Sequence, residues 1–158
     1  MRFVYLYFVA ACHKVVITLC CVVQFPLTTV VTWECTVNHA VPWATVDAWD
    51  QMTTPIAQFI TAISKKSLDY ERARIPKPEG WIACDPLAVA IAVEHGIKEG
   101  GIMTGSRMVT CRVQLANGPN RGQSVFRAAD EEQSGPLVRL VTDVDVPEFA
   151  QLLRDSMA

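Results

Sequence analysis

Cys84-Asp85-Pro86 is the run in this chain where residue type and placement converge on chemistry. A thiol and a carboxylate stand side by side. Trp81-Ile82-Ala83 precedes them, and the small apolar stretch Leu87-Ala88-Val89-Ala90-Ile91-Ala92-Val93 follows. That order predicts a strand giving way to a helix, the edge at which α/β sheets gather their ligands. A carboxylate placed there can hold a hard cation, and the positive end of the helix dipole favours an anion. A plainer reading is that Asp85 caps the helix, Pro86 takes its first turn and Cys84 is a buried apolar residue. Spacing alone favours the plainer reading, and both stay open here.

The other chemistry-bearing residues are scattered. His13, His39 and His95 are far apart and lack the H-E-x-x-H spacing of a metalloprotease, so surface or capping roles are expected of each. Cys12, Cys20, Cys21, Cys35, Cys84 and Cys111 contain no C-x-x-C pair, which argues against a structural zinc cluster or a small disulfide scaffold. Gly100-Gly101 and Gly105 fit neither phosphate-binding glycine pattern, and no G-x-S-x-G elbow occurs.

The elements that must position Cys84 and Asp85 are legible around them. Leu27 to Trp33 is β-branched and predicts a strand. Trp43, Val46 and Trp49 recur at helical spacing. Thr54-Pro55 is a helix start, and Ile56, Phe59, Ile60 and Ile63 form a stripe expected to face a core. Lys65 and Lys66 are expected near that helix's end, with Tyr70 to Gly80 as a polar connector. The apolar helix after Asp85 should be buried on nearly all sides, running to about His95 with Gly96 as its stop. Val109, Cys111, Val113 and Leu115 alternate with polar residues as a half-buried strand. Asn117-Gly118 turns the chain, and Gly122 to Arg127 returns as the hairpin partner. Leu137 to Thr142 reads as another strand. Asp145 then caps a last helix bearing Phe149, Leu152 and Leu153. Strands and helices mixed in this way predict an α/β fold with a mixed sheet and packed helices.

Composition sets the outer limits. With 158 residues, 51% of them apolar and a net charge of −2, the chain suits one domain and is not a disordered polymer. Fourteen Lys+Arg against 16 Asp+Glu make no field that would hold a nucleic acid. Phe3 to Val23 is apolar except for His13, Lys14 and Thr18, and it supports three readings. It reads as buried strand, as a secretory signal behind Arg2, or as a membrane span compromised by the central lysine.

Cys84-Asp85-Pro86-Leu87-Ala88-Val89-Ala90 resembles the late metal-site motif of the inosine-uridine preferring nucleoside hydrolases. Leu27–Glu34 resembles that family's strand before a helix, with His39-Ala40-Val41-Pro42-Trp43 as the continuation. Arg121-Gly122-Gln123-Ser124-Val125 resembles its Arg-Gly-Gln hairpin, and Val144-Asp145 with Phe149 and Leu152-Leu153 its closing helix. The resemblance covers roughly Pro26 to Met157, the C-terminal half of the family. It divides the chain into an apolar segment, 1–25, and a nucleoside-hydrolase-like part, 26–158.

The resemblance implies a Rossmann-like fold, incomplete here, and hydrolysis of the N-glycosidic bond of a ribonucleoside with the help of Ca2+. It places Asp85 as a metal ligand and Cys84 at the position near the leaving base that is a histidine in many members. It also implies a cytoplasmic protein, whereas the apolar N-terminus would suit a membrane-bound or secreted one. The family's opening loop, D-x-D-P-G-x-D-D, has no counterpart, since the first aspartate is Asp47. The A-E-F-N type ribose segment is also missing. One aspartate cannot supply the 6–8 oxygens that calcium takes. The expectation is therefore a truncated or alternative product, inactive by itself. Its rivals are an interaction fragment that pairs with a full-length relative and a small protein anchored in a membrane through Phe3–Val23; the partners expected are a ribonucleoside and further copies of the chain in a homo-oligomer.

Overall fold

The computed structural model describes residues 5–8, 28–74, 79–97, 101–129 and 136–158. Seven strands and five helices are built from them: β1 Tyr5–Phe8, β2 Thr28–Val31, α1 Trp33–Asn38, β3 Val41–Pro42, α2 Trp43–Trp49, α3 Pro55–Arg72, β4 Gly80–Trp81, α4 Cys84–Ile97, β5 Met103–Val113, β6 Ser124–Ala128, β7 Leu137–Val144 and α5 Val146–Ser156. The main sheet runs β1-β2-β7-β5-β6, and β3 pairs with β4 in a small second sheet. β1, β2 and β7 are parallel, whereas β5 is antiparallel to both β7 and β6. The expected α/β fold with a mixed sheet is present. Of the apolar N-terminal segment, Tyr5–Phe8 is a strand and residues 9–27 lie outside the described ones. Among the described residues no helix is long and apolar enough to cross a membrane.

β2 is buried on both faces, as its β-branched run demands of an inner parallel strand. One face sends Val31 into a cluster with Val141 and Val144 of β7 and with buried residues from all five helices: Cys35, Val46, Trp49, Ala57, Leu87 and Phe149 among them. The other face sends Val30 into a smaller cluster with Val109, Cys111, Val138 and Leu140. The helices therefore pack on one side of the sheet.

Caps fix where the helices start. Thr54 accepts from the Ala57 amide at 3.2 Å with Pro55 in the first turn, and Asp145 accepts from Glu148 at 2.9 Å with Pro147 behind it. Gly122, at φ 89°, turns the β5–β6 loop and donates its amide to Gln114 O at 2.7 Å. A side chain there would be strained.

Four expectations are corrected. The Ile56-Phe59-Ile60-Ile63 stripe faces solvent, and α3 buries Ala57 instead, with Thr61, Ser64 and Leu68 half-buried along the same side. Periodicity reveals a stripe but not its direction. Polar ties hold α3 this way round: Thr54 to the Met157 carbonyl, Thr61 to Asp50, Arg72 to Asp47, and Glu71 to the Ile82 amide. Second, α3 runs on to Arg72, so Lys65 and Lys66 are internal, and Lys65 pairs with Asp69 at 3.2 Å. Third, α4 is not buried all round: Asp85, Val89 and Val93 form an exposed stripe at i, i+4, i+8, and the helix continues through Gly96 to Ile97. Fourth, Leu115 lies beyond the strand and is exposed, because β5 ends at Val113.

The inner face of α4 is tight. Ala90 is 4% exposed within the helix-side cluster. Ala90→Leu is expected to cost about 1–3 kcal/mol through overpacking. An unchanged denaturant midpoint would contradict the packing.

Candidate functional site

β2 ends at Val31, and Thr32 turns the chain into α1 by accepting from the Cys35 amide at 3.2 Å. That cap places Thr36, 1% exposed, on the inner side of α1, where its hydroxyl donates to Trp33 O at 2.8 Å. On the other side, Gly80–Trp81 pairs with Val41–Pro42 and leads through buried Ile82 and Ala83 into α4. The Cys84 thiol thereby comes to 3.5 Å from Thr36 Oγ1 and donates to it. A strand does lead into the helix that Cys84 and Asp85 open, but it is the two-residue β4 of the small antiparallel sheet rather than a strand of the main α/β sheet, which corrects the edge expected from the sequence.

Asp85 is not the cap. The helix begins at Cys84, and Leu87 N bonds Ala83 O at 3.0 Å, so the cap position falls on Ala83. Asp85 lies in the first turn with an exposed carboxylate. Acidic charge there suits the helix dipole.

Burial pushes the Cys84 thiol above its ordinary value. The hydrogen bond with Thr36 opposes this, while the carboxylates of Asp85 and Glu71 reinforce it. Cys84 is therefore a neutral thiol near pH 7, able to donate a hydrogen bond but poorly nucleophilic. Glu71 reaches the site from the end of α3. Its carboxylate accepts from Ile82 N at 3.2 Å, and burial raises its pKa against that bond and the pull of Arg74. Thr36 and Glu71 were not identified from the sequence. No local signal marks them, since they meet the α4 entrance only through the tertiary fold.

A second polar cluster braces the same region. His39, the residue capping the end of α1, places Nδ1 2.8 Å from Cys35 O and Nε2 2.8 Å from Asp143 Oδ1. The capping role expected of His39 is present, with a tie to β7 that the sequence did not reveal. His95 falls within α4, and His13 lies outside the described residues. Cys35, beside His39, is pushed up to about 11, by burial first and Asp143 second.

The His39 hydrogen bond, then the Val144 amide, holds the Asp143 carboxyl below its ordinary 3.8. A carboxyl lowered on folding stabilises the fold above its ordinary value, and that contribution is lost as pH falls through the lowered one. Asp143→Asn should thus lower the denaturant midpoint at pH 6, with the deficit shrinking below pH ~4. A deficit independent of pH would contradict the role.

The donors around Asp85 do not fit calcium. Beside its one exposed carboxylate stand a neutral thiol, a hydroxyl already bonded twice, and a glutamate engaged with a backbone amide. Among the described residues no three His, Cys, Asp or Glu side chains group closely enough to hold a metal. A separate cleft of about 410 Å³ opens at the end of β2, lined by Thr32, Trp33, Glu34, Arg107 and Phe126 among others, and it includes neither Cys84 nor Asp85.

The parallel strands β1, β2 and β7, continued by the antiparallel β5 and β6 and covered by helices, make a Rossmann-like α/β fold, and the helix that opens with Cys-Asp follows the small antiparallel β3–β4 ladder. The sequence profile of the inosine-uridine preferring nucleoside hydrolases matches residues 10–151, beginning inside the apolar N-terminal segment. The chain belongs to that family. Among solved structures it is similar to an inosine-guanosine nucleoside hydrolase (TM-score 0.66, 20% identity, 82% of this chain and 38% of that one). It is also similar to a plant nucleoside hydrolase (0.66, 17%, 82% and 41%). A purine-preferring ribonucleoside hydrolase from Gardnerella vaginalis matches comparably (0.64, 19%, 82% and 39%). The chain spans about two fifths of the length of these relatives. Comparison with curated proteins finds no match.

Proposed function

We propose that this chain carries the leaving-base end of a ribonucleoside N-glycosidic hydrolysis site and does not turn over substrate alone. The observation that supports this most is the adjacent Cys84 and Asp85 opening α4, with Thr36 beneath the thiol, in a chain of this family. In this reading a ribonucleoside lies over the start of α4. Purine nucleosides are the first candidates, because two of the similar solved proteins are named for them.

Cys84 faces the leaving base. Its raised pKa keeps the proton on sulfur, and the S–H, turned from Thr36 Oγ1, can donate a hydrogen bond to a base nitrogen as the C–N bond breaks. Proton transfer works best from a group whose pKa lies near the working pH, so this thiol is a weak general acid. Asp85 offers its carboxylate to the sugar side, where the family's calcium would be met. The donors at hand do not hold that ion.

Titrating the 15N-labelled chain with inosine tests the placement. Amide shifts should concentrate at Thr36, Cys84, Asp85 and Leu87 and weaken in Asp85→Ala. Shifts confined to the 410 Å³ cleft at β2 would move the nucleoside elsewhere. Calcium gives a second check. Ligand at 100 times its dissociation constant stabilises by about 2.7 kcal/mol, whereas a site too weak to fill adds nothing. Millimolar calcium should therefore leave the melting temperature unchanged. A large rise that persists in Asp85→Asn would place the metal away from this helix.

A further inference from the structure

The chain holds three asparagines, Asn38, Asn117 and Asn120, and their surroundings set one of them apart. An asparagine side chain is open to attack by the amide nitrogen of the next residue when that nitrogen is unshielded and free to give up its proton. Asn38 closes α1, and the His39 amide is donated to Cys35 O at 3.1 Å. The amide after Asn120 belongs to Arg121 and is donated to Gly118 O at 3.2 Å. Among the described residues, the amide after Asn117 has no such backbone acceptor. It belongs to Gly118, which carries no side chain to shield the nitrogen. No atom beyond its chain neighbours lies within 4 Å of where a Cβ would stand.

Arg121 prepares the group under attack. Its Nη1 donates to Asn117 Oδ1 at 3.1 Å across the tip of the β5–β6 loop. A guanidinium only donates, so the side-chain atom it meets is the oxygen, and Nδ2 is left as the leaving group. The contact draws electrons from Cγ and faces the oxygen on which negative charge gathers as Cγ becomes tetrahedral. Asn117, Gly118 and Arg121 are all exposed, so water reaches the site. Below the tip the loop is pinned by Gly122 N to Gln114 O at 2.7 Å and Gln114 N to Gln123 O at 2.9 Å. The tip is thus free to change covalently while β5 and β6 stay paired.

We propose that Asn117-Gly118 is a self-modifying site, at which Arg121 promotes loss of the Asn117 side-chain amide. The Gly118 nitrogen bonds to Asn117 Cγ, the Cγ–Nδ2 bond breaks, and Nδ2 leaves as ammonia with the proton that Gly118 gave up. Water then opens the cyclic imide at either carbonyl. One opening leaves aspartate at position 117, the other an isoaspartyl link, and nothing is oxidised or reduced. Either product adds one negative charge to the net −2. The aspartate product sets its carboxylate against the Arg121 guanidinium, where the amide oxygen stood.

Peptide mapping of the full chain, held at pH 7.4 and 37 °C, tests this. The segment carrying Asn117 should convert to a separable aspartate and isoaspartate pair, with Asn38 and Asn120 intact over the same time. In the folded chain Arg121→Ala should slow conversion roughly three- to tenfold, the effect of one exposed hydrogen bond. In denaturing urea the two chains should convert equally, because the loop no longer holds the guanidinium at Oδ1. Arg121→Lys keeps the charge without the planar fork and should fall between them when folded. An Asn117 that stays unconverted, or conversion at Asn38 or Asn120 as fast as at Asn117, would overturn the proposal. So would a folded-state rate indifferent to Arg121→Ala, or an equal Arg121 effect in urea.

Discussion

Phe149→Ala is expected to destabilise the chain by about 3–5 kcal/mol, the range for truncating a fully enclosed aromatic side chain. Phe149 is 0% exposed and is among the largest fully buried side chains. It projects from α5 into the cluster that joins the β2–β7 sheet face to the inner faces of α2 and α4. Asp145 pins the helix one turn earlier through Glu148 N, and Phe149 N itself bonds Asp145 O at 3.0 Å. The helix cannot easily slide to refill the space, so transfer loss and cavity cost should both be felt. Chemical denaturation followed by circular dichroism measures the loss. A cost below about 1 kcal/mol would mean that α5 is a loosely docked appendage.

Gly80→Ala should also be strongly damaging, for a different reason. A Cβ at this position would lie 2.2 Å from Val41 O and 2.7 Å from Val41 C. The obstacle is backbone in the paired β3 strand, so no rotamer change relieves it. Overpacking costs about 1–3 kcal/mol and occasionally more, and this clash belongs at or above the upper end. The β3–β4 ladder is the approach to Ile82, Ala83 and the start of α4, so its separation would also withdraw Cys84 from Thr36. Trp81 reports the change, because its ring meets Trp49 edge-on at 6.3 Å and 86°. Altered tryptophan fluorescence together with lost stability is expected. A variant that retains both would show that the ladder is not rigid.

These two positions illustrate what the sequence could and could not disclose. α5 was legible because Asp145, Pro147 and the Phe149-Leu152-Leu153 spacing state a start and an inner face in one short window. Gly80 read only as part of a polar connector. The close approach of Val41 that requires glycine is set by a strand far back in the chain. α3 shows the same limit differently. Thr54-Pro55 marked its start correctly, and the apolar stripe was real, but hydrophobic periodicity cannot say which side meets the core. Polar ties to Met157, Asp50, Asp47 and Ile82 settle the rotation, and all four are contacts made by the fold.

The site divides in the same way. Cys84 and Asp85 are adjacent, so a local motif shows them, and the family they suggest is the one to which the chain belongs. Thr36 sits 48 residues from Cys84, and Asp143 sits 104 residues from His39. Neither pairing has a local signature. Asp85 as a cap was reasonable from Asp-Pro, yet the turn closes one residue earlier because Ala83 O receives the Leu87 amide. That one-residue shift leaves the Asp85 side chain free of capping duty and open to solvent.

Base release from inosine, guanosine and uridine, with millimolar calcium and the purified 158-residue chain, tests the central claim most directly. No release above the uncatalysed background is expected, because the donors beside Asp85 do not fit calcium and the Cys84 thiol is a weak acid. Calcium-dependent turnover on the order of 1 per second, the lower edge of ordinary enzyme rates, would contradict it.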